Sequence, residues 1–193
     1  CQSISDLLFC TEQSGVDNLR REGVPDERIF LVGNLMIDTL MSNRARAEGS
    51  TILADLGLTA GGYAALTLHR PANVDDPAVF GGILDALEVV QADMPVVFPM
   101  HPRTRGNLAG TAAGRRMEGM TNIKVIEPAA YLDFLKLMAS AKVVLTDSGG
   151  IQEETTILGV PCLTMRENTE RPITCRIGTN QLVGTTTAGI LAG

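Results

Sequence analysis

The sequence predicts an α/β fold, a Rossmann-like doubly wound parallel sheet. Three observations point there. Short apolar runs, nearly continuous in Val, Leu and Ile, recur along the chain, as strands buried on both faces require. Each run is followed by a segment with helical periodicity, so strands alternate with helices. Basic residues, both histidines and a glycine pair sit directly after the runs, at the strand ends where open α/β sheets bind ligands.

In chain order, residues 5–10 (SDLLFC) read as a short strand, and Thr11 as the cap of a helix running through Glu22 and ending at Gly23. Residues 28–33 (RIFLVG) read as a second strand. Asn34 then caps a polar connecting helix that runs toward residue 50. From residue 62 the rhythm is regular, with strands at 63–68, 95–100, 122–127, 142–147, 160–165 and 180–184. The intervening helices start near Asp76-Pro77 with proline at the first helical position, cover 104–117, follow YLDFLKLMASA, and run from Gly150 to Leu158. A closing helix barely begins at Leu191. Two domains result: residues 1–40, a β-α-β piece with the start of a connection, and residues 41–193, the doubly wound unit.

Composition bounds the function. The chain has 193 residues, 45% of them hydrophobic and 20% charged, with a net charge of −6 and no dense Lys/Arg run. That argues against nucleic acid and anionic membranes as partners. No apolar run reaches the roughly 18 residues of a membrane span. The cysteines Cys1, Cys10, Cys162 and Cys175 match no zinc-binding spacing, and Cys162, within VPCLTM, is expected to be a buried free thiol in a cytoplasmic protein. The chain opens on Cys1 and not on Met, and is expected to come from a longer protein.

The chemistry gathers at strand ends. His69 and Arg70 follow one strand, His101 and Arg103 the next, Ser148-Gly149-Gly150 a third, and Arg166 a fourth, with Glu170-Arg171-Pro172 close behind. Glycines before a helix let an anion approach backbone N–H groups at the positive end of the helix dipole, which suits phosphate. The plainer reading of the same turn is a tight strand-to-helix connection with Gly150 as N-cap and Glu153 at the third helical position. Glu154, one turn on, faces the same mouth and could accept from ribose hydroxyls, or simply complement the dipole. His69 is suited to donate a proton or hydrogen bond to a departing phosphate oxygen, against the alternative of a packed histidine. Asp147 and Glu153 read as structural, and Phe134 as core.

TLHRPANVDDP, HPRTR, YLDFLKLMASAKVVLTDSGGIQEE, LGVPCLTMRENTERP and GTNQLVG, in that order, resemble the non-hydrolysing UDP-N-acetylglucosamine 2-epimerases over essentially the whole chain. The resemblance implies one lobe of a two-lobed glycosyltransferase-B architecture, with residues 1–40 a remnant of the other lobe. It implies interconversion of UDP-GlcNAc and UDP-ManNAc through elimination of UDP to 2-acetamidoglucal and re-addition, without metal or cofactor, in a homodimer. Ser148, Gly149 and Gly150 match its diphosphate-binding turn, Glu154 its ribose-binding acid, and Arg171 a phosphate-binding arginine. Phe134 matches a residue beside the uracil, and His69 a catalytic histidine near the leaving group. Ala72 stands where many members carry Glu. The family's C2 carboxylates belong to the other lobe, so this chain alone is expected to bind UDP without turnover. A glycosyltransferase of the same fold and a non-catalytic UDP-sugar-binding module are the alternatives.

Overall fold

The computed structural model describes residues 4–193, so Cys1 lies outside the described residues. The chain divides into two compact units, Cys1–Ser42 and Asn43–Gly193.

The first unit contains strand β1 (Leu8–Cys10), helix α1 (Gln13–Arg21), a 3-10 turn (Asp26–Arg28) and strand β2 (Ile29–Leu31). The strands pair in parallel, Leu8 opposite Ile29 and Cys10 opposite Leu31. α1 is amphipathic and buries Val16 and Leu19 with Cys10, against which Leu8, Val24 and Ile29 pack. Its cap differs from the expectation. Glu12 is the N-cap and no side chain bonds the first turn, so Thr11 does not cap it. Asn34 does act as expected. Its Oδ1 accepts from the Met36 N–H at 3.0 Å, opening α2 (Leu35–Ala47).

The second unit holds a six-stranded parallel sheet in the order β5-β4-β3-β6-β7-β8. These strands are β3 (Ala64–Thr67), β4 (Val96–Pro99), β5 (Ile123–Ile126), β6 (Val143–Thr146), β7 (Cys162–Thr164) and β8 (Asn180–Leu182). The doubly wound α/β fold expected from the strand rhythm is therefore present. Period-two alternation splits each central strand between two cores. Ala64, Leu66 and Phe98 face a layer built from α5 (Pro77–Asp93), α6 (Pro102–Leu108), α7 (Ala112–Glu118) and α11 (Thr187–Ala192). Tyr63, Ala65, Val97 and Val144 face the other layer, which contains α3 (Ile52–Asp55), α8 (Tyr131–Ala139) and α9 (Gly149–Leu158). The Cys162 side chain is fully buried and the thiol is free, and burial pushes its pKa up.

Three further departures have local causes. The helix expected over 104–117 is two helices. Gly110 turns left-handed (φ +72), and Thr111 caps α7 by accepting from Gly114 N–H at 3.0 Å. A Cβ at Gly114 would come within 2.1 Å of the Leu108 carbonyl oxygen, so the break needs glycine there. The closing helix starts at Thr187, capped by Thr186, and not near Leu191. Two short helices, α4 (Pro71–Val74) and α10 (Pro172–Arg176), occupy stretches read as loop, each begun by a proline in its first turn.

The proline start at α5 is as expected, and Asp76 completes it by accepting from Ala78 and Val79 N–H groups at 2.8 and 3.2 Å. Asp76→Ala is expected to lower stability by about 1 kcal/mol, and Asp76→Ser to restore most of the loss, measured by chemical denaturation. Equal stability of all three proteins would show that the cap carries no weight.

Candidate functional site

The chain enters the main sheet at its middle strand β3, steps outward through β4 to β5, then returns to β6 beside β3 and steps out the other way. The connections leaving β3 and β6 therefore lead to helices on opposite faces, which opens a crevice at their carboxyl ends. His69 and Arg70 follow β3 there, Asp147 and Ser148 follow β6, and Arg166 follows β7.

Asp147 organises this edge. Its side chain is fully buried, and its carboxylate accepts from the His69 N–H at 3.0 Å, the Arg70 N–H at 2.8 Å and Asn73 Nδ2 at 3.4 Å. His69 Nδ1 lies 2.8 Å from Oδ1. Burial alone would raise the carboxyl's pKa, but the bonds from the His69 ring and from the Arg70 and His69 backbone outweigh it, and the net shift is downward. The same bond raises the pKa of His69. It also places a proton on Nδ1 and leaves Nε2 directed away from the carboxylate, on a half-exposed ring. The β3 loop is fastened further by Arg70 Nε, which donates to the Asp147 carbonyl at 3.0 Å, and by Asn73, which donates to the Met165 carbonyl at 3.1 Å. Ala72 is exposed on α4 beside this network.

Ser148, not Gly150, is the N-cap of α9, and its side chain makes no cap hydrogen bond. Gly149 and Gly150 are the first two helical residues, which puts Glu153 fifth and not third. The amides of the first turn are left without a side-chain acceptor from the cap. Neither glycine has a left-handed φ. A Cβ at Gly149 would meet only Glu170 Oε2, at 3.7 Å. The protein's own packing thus does not demand glycine at 149, and its small size leaves room at the mouth of the helix. Gln152, fully buried, ties the turn to its neighbours: it donates to the Ser148 carbonyl at 3.2 Å and accepts from the Thr169 hydroxyl at 2.6 Å and from Asn180 Nδ2 at 3.1 Å.

The cations of the site each meet an acid. Arg166 NH1 and NH2 both donate to Glu170, each at 2.8 Å. Arg70 NH2 lies 3.6 Å from Glu170. Arg171 Nε lies 3.0 Å from Glu153 Oε1, with its N–H not aligned for a hydrogen bond. Glu153 is therefore the counter-charge that steadies Arg171.

Glu154 is buried, and among the described residues none donates a hydrogen bond to its carboxylate. Burial, and secondarily the charge of Glu153, raises its pKa. Tyr131, in the first turn of α8, lies close enough for the Glu154 charge to add to the burial that raises its phenol. Phe134, half-buried, follows one turn later at i+3, on the same side of α8. Tyr131 is thus the aromatic residue near the Glu154 carboxylate, with Phe134 one turn further along α8.

His101 and Arg103 make no bond to the Asp147 network. His101 Nδ1 accepts from the Arg103 N–H at 3.2 Å, capping α6, and Arg103 pairs with Asp75 at 3.0 Å. A cavity of about 600 Å³ lies elsewhere, lined by Met100, Leu108, Met117, Met120 and Ile123, and shares no residue with the crevice. Among the described residues no group of three or more His, Cys, Asp or Glu side chains converges as metal ligands would.

The family model described as UDP-N-acetylglucosamine 2-epimerase matches residues 1–193. The chain belongs to the UDP-N-acetylglucosamine 2-epimerase family. It is 40% identical over 194 residues to the UDP-N-acetylglucosamine 2-epimerase of Methanocaldococcus jannaschii, covering 94% of this chain and 51% of that protein. It is also 40% identical over 186 residues to the UDP-2,3-diacetamido-2,3-dideoxy-D-glucuronate 2-epimerase of Pseudomonas aeruginosa, covering 94% and 49%. The crystal structure of the M. jannaschii enzyme in complex with UDP-GlcNAc and UDP superimposes with a TM-score of 0.90 at 38% identity, over 98% of this chain and 53% of that one. The chain spans about half the length of the curated relatives it matches. The main sheet with its helices is a Rossmann-like lobe of the kind found in these two-lobed epimerases.

The Asp147 bond has a measurable consequence. In a ring-proton NMR titration of this chain His69 should titrate above the ordinary histidine value, and in Asp147→Asn its pKa should fall, because a neutral carboxamide no longer favours the imidazolium. A raised folded-state pKa means that the stabilisation is complete below the unfolded value and is lost as pH rises through the raised one. An unchanged His69 titration in Asp147→Asn would refute the coupling.

Proposed function

We propose that this chain is the UDP-binding part of a 2-epimerase that interconverts UDP-GlcNAc and UDP-ManNAc. The observation that carries the reading is the convergence, at one switch point, of an uncapped helix mouth, three arginines and a histidine oriented by a buried aspartate. The Gly149 and Gly150 amides and the Ser148 hydroxyl donate to the diphosphate oxygens, the Ser148 N–H being held by Thr146 Oγ1 at 3.0 Å, with charge supplied by Arg171 and, beside it, Arg70 and Arg166. Glu154, buried without a donor, takes the ribose hydroxyls, whose O–H groups would satisfy it. Phe134 lies beside the uracil.

In the reaction, a base removes the C2 proton as the C1–O bond breaks, giving 2-acetamidoglucal and UDP. UDP then re-adds at C1 while a proton reaches the opposite face of C2. His69 serves the leaving-group side: with Nδ1 held by Asp147, its Nε2 is free to donate to the departing phosphate oxygen. The groups that move the C2 proton are assigned to the other lobe of the whole protein, which is proposed to work as a homodimer. His101 and Arg103 are left outside the binding contacts. The equal identity to an epimerase named for a diacetamido glucuronate supports a second reading in which the same lobe serves a different UDP-linked 2-acetamido sugar.

Calorimetric titration with UDP tests the site. Saturable binding is expected for this chain, weakened about tenfold or more in Glu154→Ala and in Arg171→Ala. Affinity unchanged in both variants, or no binding by the folded chain, would contradict it. For the whole protein, deuterium from solvent should enter C2 of UDP-GlcNAc. Transfer of the sugar to an acceptor without inversion at C2 would instead mark a glycosyltransferase.

A further inference from the structure

Glu170 faces the guanidinium groups of two arginines of the crevice. Its carboxylate takes both terminal nitrogens of Arg166 at 2.8 Å and faces Arg70 NH2 at 3.6 Å. It also lies at the mouth of α9, with Oε2 3.7 Å from where a Cβ on Gly149 would sit. A bidentate carboxylate uses the same guanidinium fork as a phosphate group. The carboxylate and an incoming phosphate would therefore compete for the same donors.

Burial decides which member of the pair can leave. The Arg166 side chain is 10% exposed and that of Glu170 55%. A guanidinium so enclosed needs an anion beside it, because an unpaired buried charge is costly, whereas a half-exposed carboxylate returns to water cheaply. Arg70 is fixed at Nε by the Asp147 carbonyl and keeps its two terminal nitrogens for an exchangeable partner. The fixed elements are thus the arginines and the exchangeable one is Glu170.

The geometry points to Glu170 as an internal competitor of the diphosphate, which occupies the anion position in the empty lobe and must be displaced when a pyrophosphate group binds. This rests on the diphosphate reading of the crevice. Glu170 then sets how tightly the lobe holds a nucleoside diphosphate and lets it be released. Arg166 holds the Glu170 carboxyl at about 2, so the competitor is ionised at any working pH.

The test compares this chain with Glu170→Gln, titrating UDP, inorganic pyrophosphate and uridine by calorimetry at neutral pH. Expected is UDP and pyrophosphate binding tighter by roughly threefold to tenfold in Glu170→Gln, with a steeper loss on adding salt, and uridine unchanged. Equal or weaker UDP and pyrophosphate binding in Glu170→Gln would overturn the competitor role while leaving UDP binding by the natural chain intact. Equal tightening for uridine would also overturn it, since uridine has no phosphate to compete. Tighter pyrophosphate with no UDP binding by either protein would uphold the competitor and sink the nucleotide reading.

Discussion

The Asp147 carboxylate is the constraint on which the rest of the site depends. A charge buried at the end of a central strand is tolerated only when donors surround it. Here they come from the neighbouring strand end: two backbone N–H groups, a ring nitrogen and a carboxamide. Satisfying the carboxylate therefore fixes the path of the β3 loop. It also sets the orientation of His69 and, through Arg70, one flank of the crevice. The winding of the sheet supplies the rest. Parallel pairing of Thr67 with Thr146 brings the two strand ends level, and their hydroxyls share a hydrogen bond of 2.7 Å.

The same logic explains how a chain with a net charge of −6 can carry the proposed anion site. Each cation in the crevice stands beside a specific acid, so acids there place positive charge rather than cancel it in bulk. Asp147 holds His69, Glu153 steadies Arg171, and Glu170 clamps Arg166. Glu154 is the exception, a desolvated carboxylate with no donor among the described residues. It is the acid we propose for the ribose.

Much of the fold was legible because its strands are read by composition and its helices by period. Six apolar runs became six strands, and Asn34 and the Asp76-Pro77 pair act as the starts they resemble. What escaped depends on context beyond a residue's neighbours. Gly110-Thr111 breaks a helix through a left-handed turn that the apolar rhythm does not register. Ser148 rather than Gly150 caps α9 because the chain leaves β6 one residue earlier than the glycine pair suggests. The strand-end residues were visible as a set, but the roles of the acids were not. Asp147 read as merely structural because its four donors lie more than seventy residues away in sequence, Glu170 stood out only as a neighbour of Arg171 because its second arginine is Arg70, and Tyr131 and Gln152 drew no notice because their partners lie on other elements. An acid directly after an apolar strand, with a His-Arg pair after another, was the available signal.

A crystal structure of this chain soaked with UDP bears most directly on the site. The expected result is diphosphate oxygens on the Gly149 and Gly150 amides, the Ser148 hydroxyl and Arg171, the ribose on Glu154, and the His69 ring still bonded to Asp147. Density for UDP at the His101–Arg103 turn or in the cavity beside Met117 and Ile123, with Glu154 bare, would contradict it.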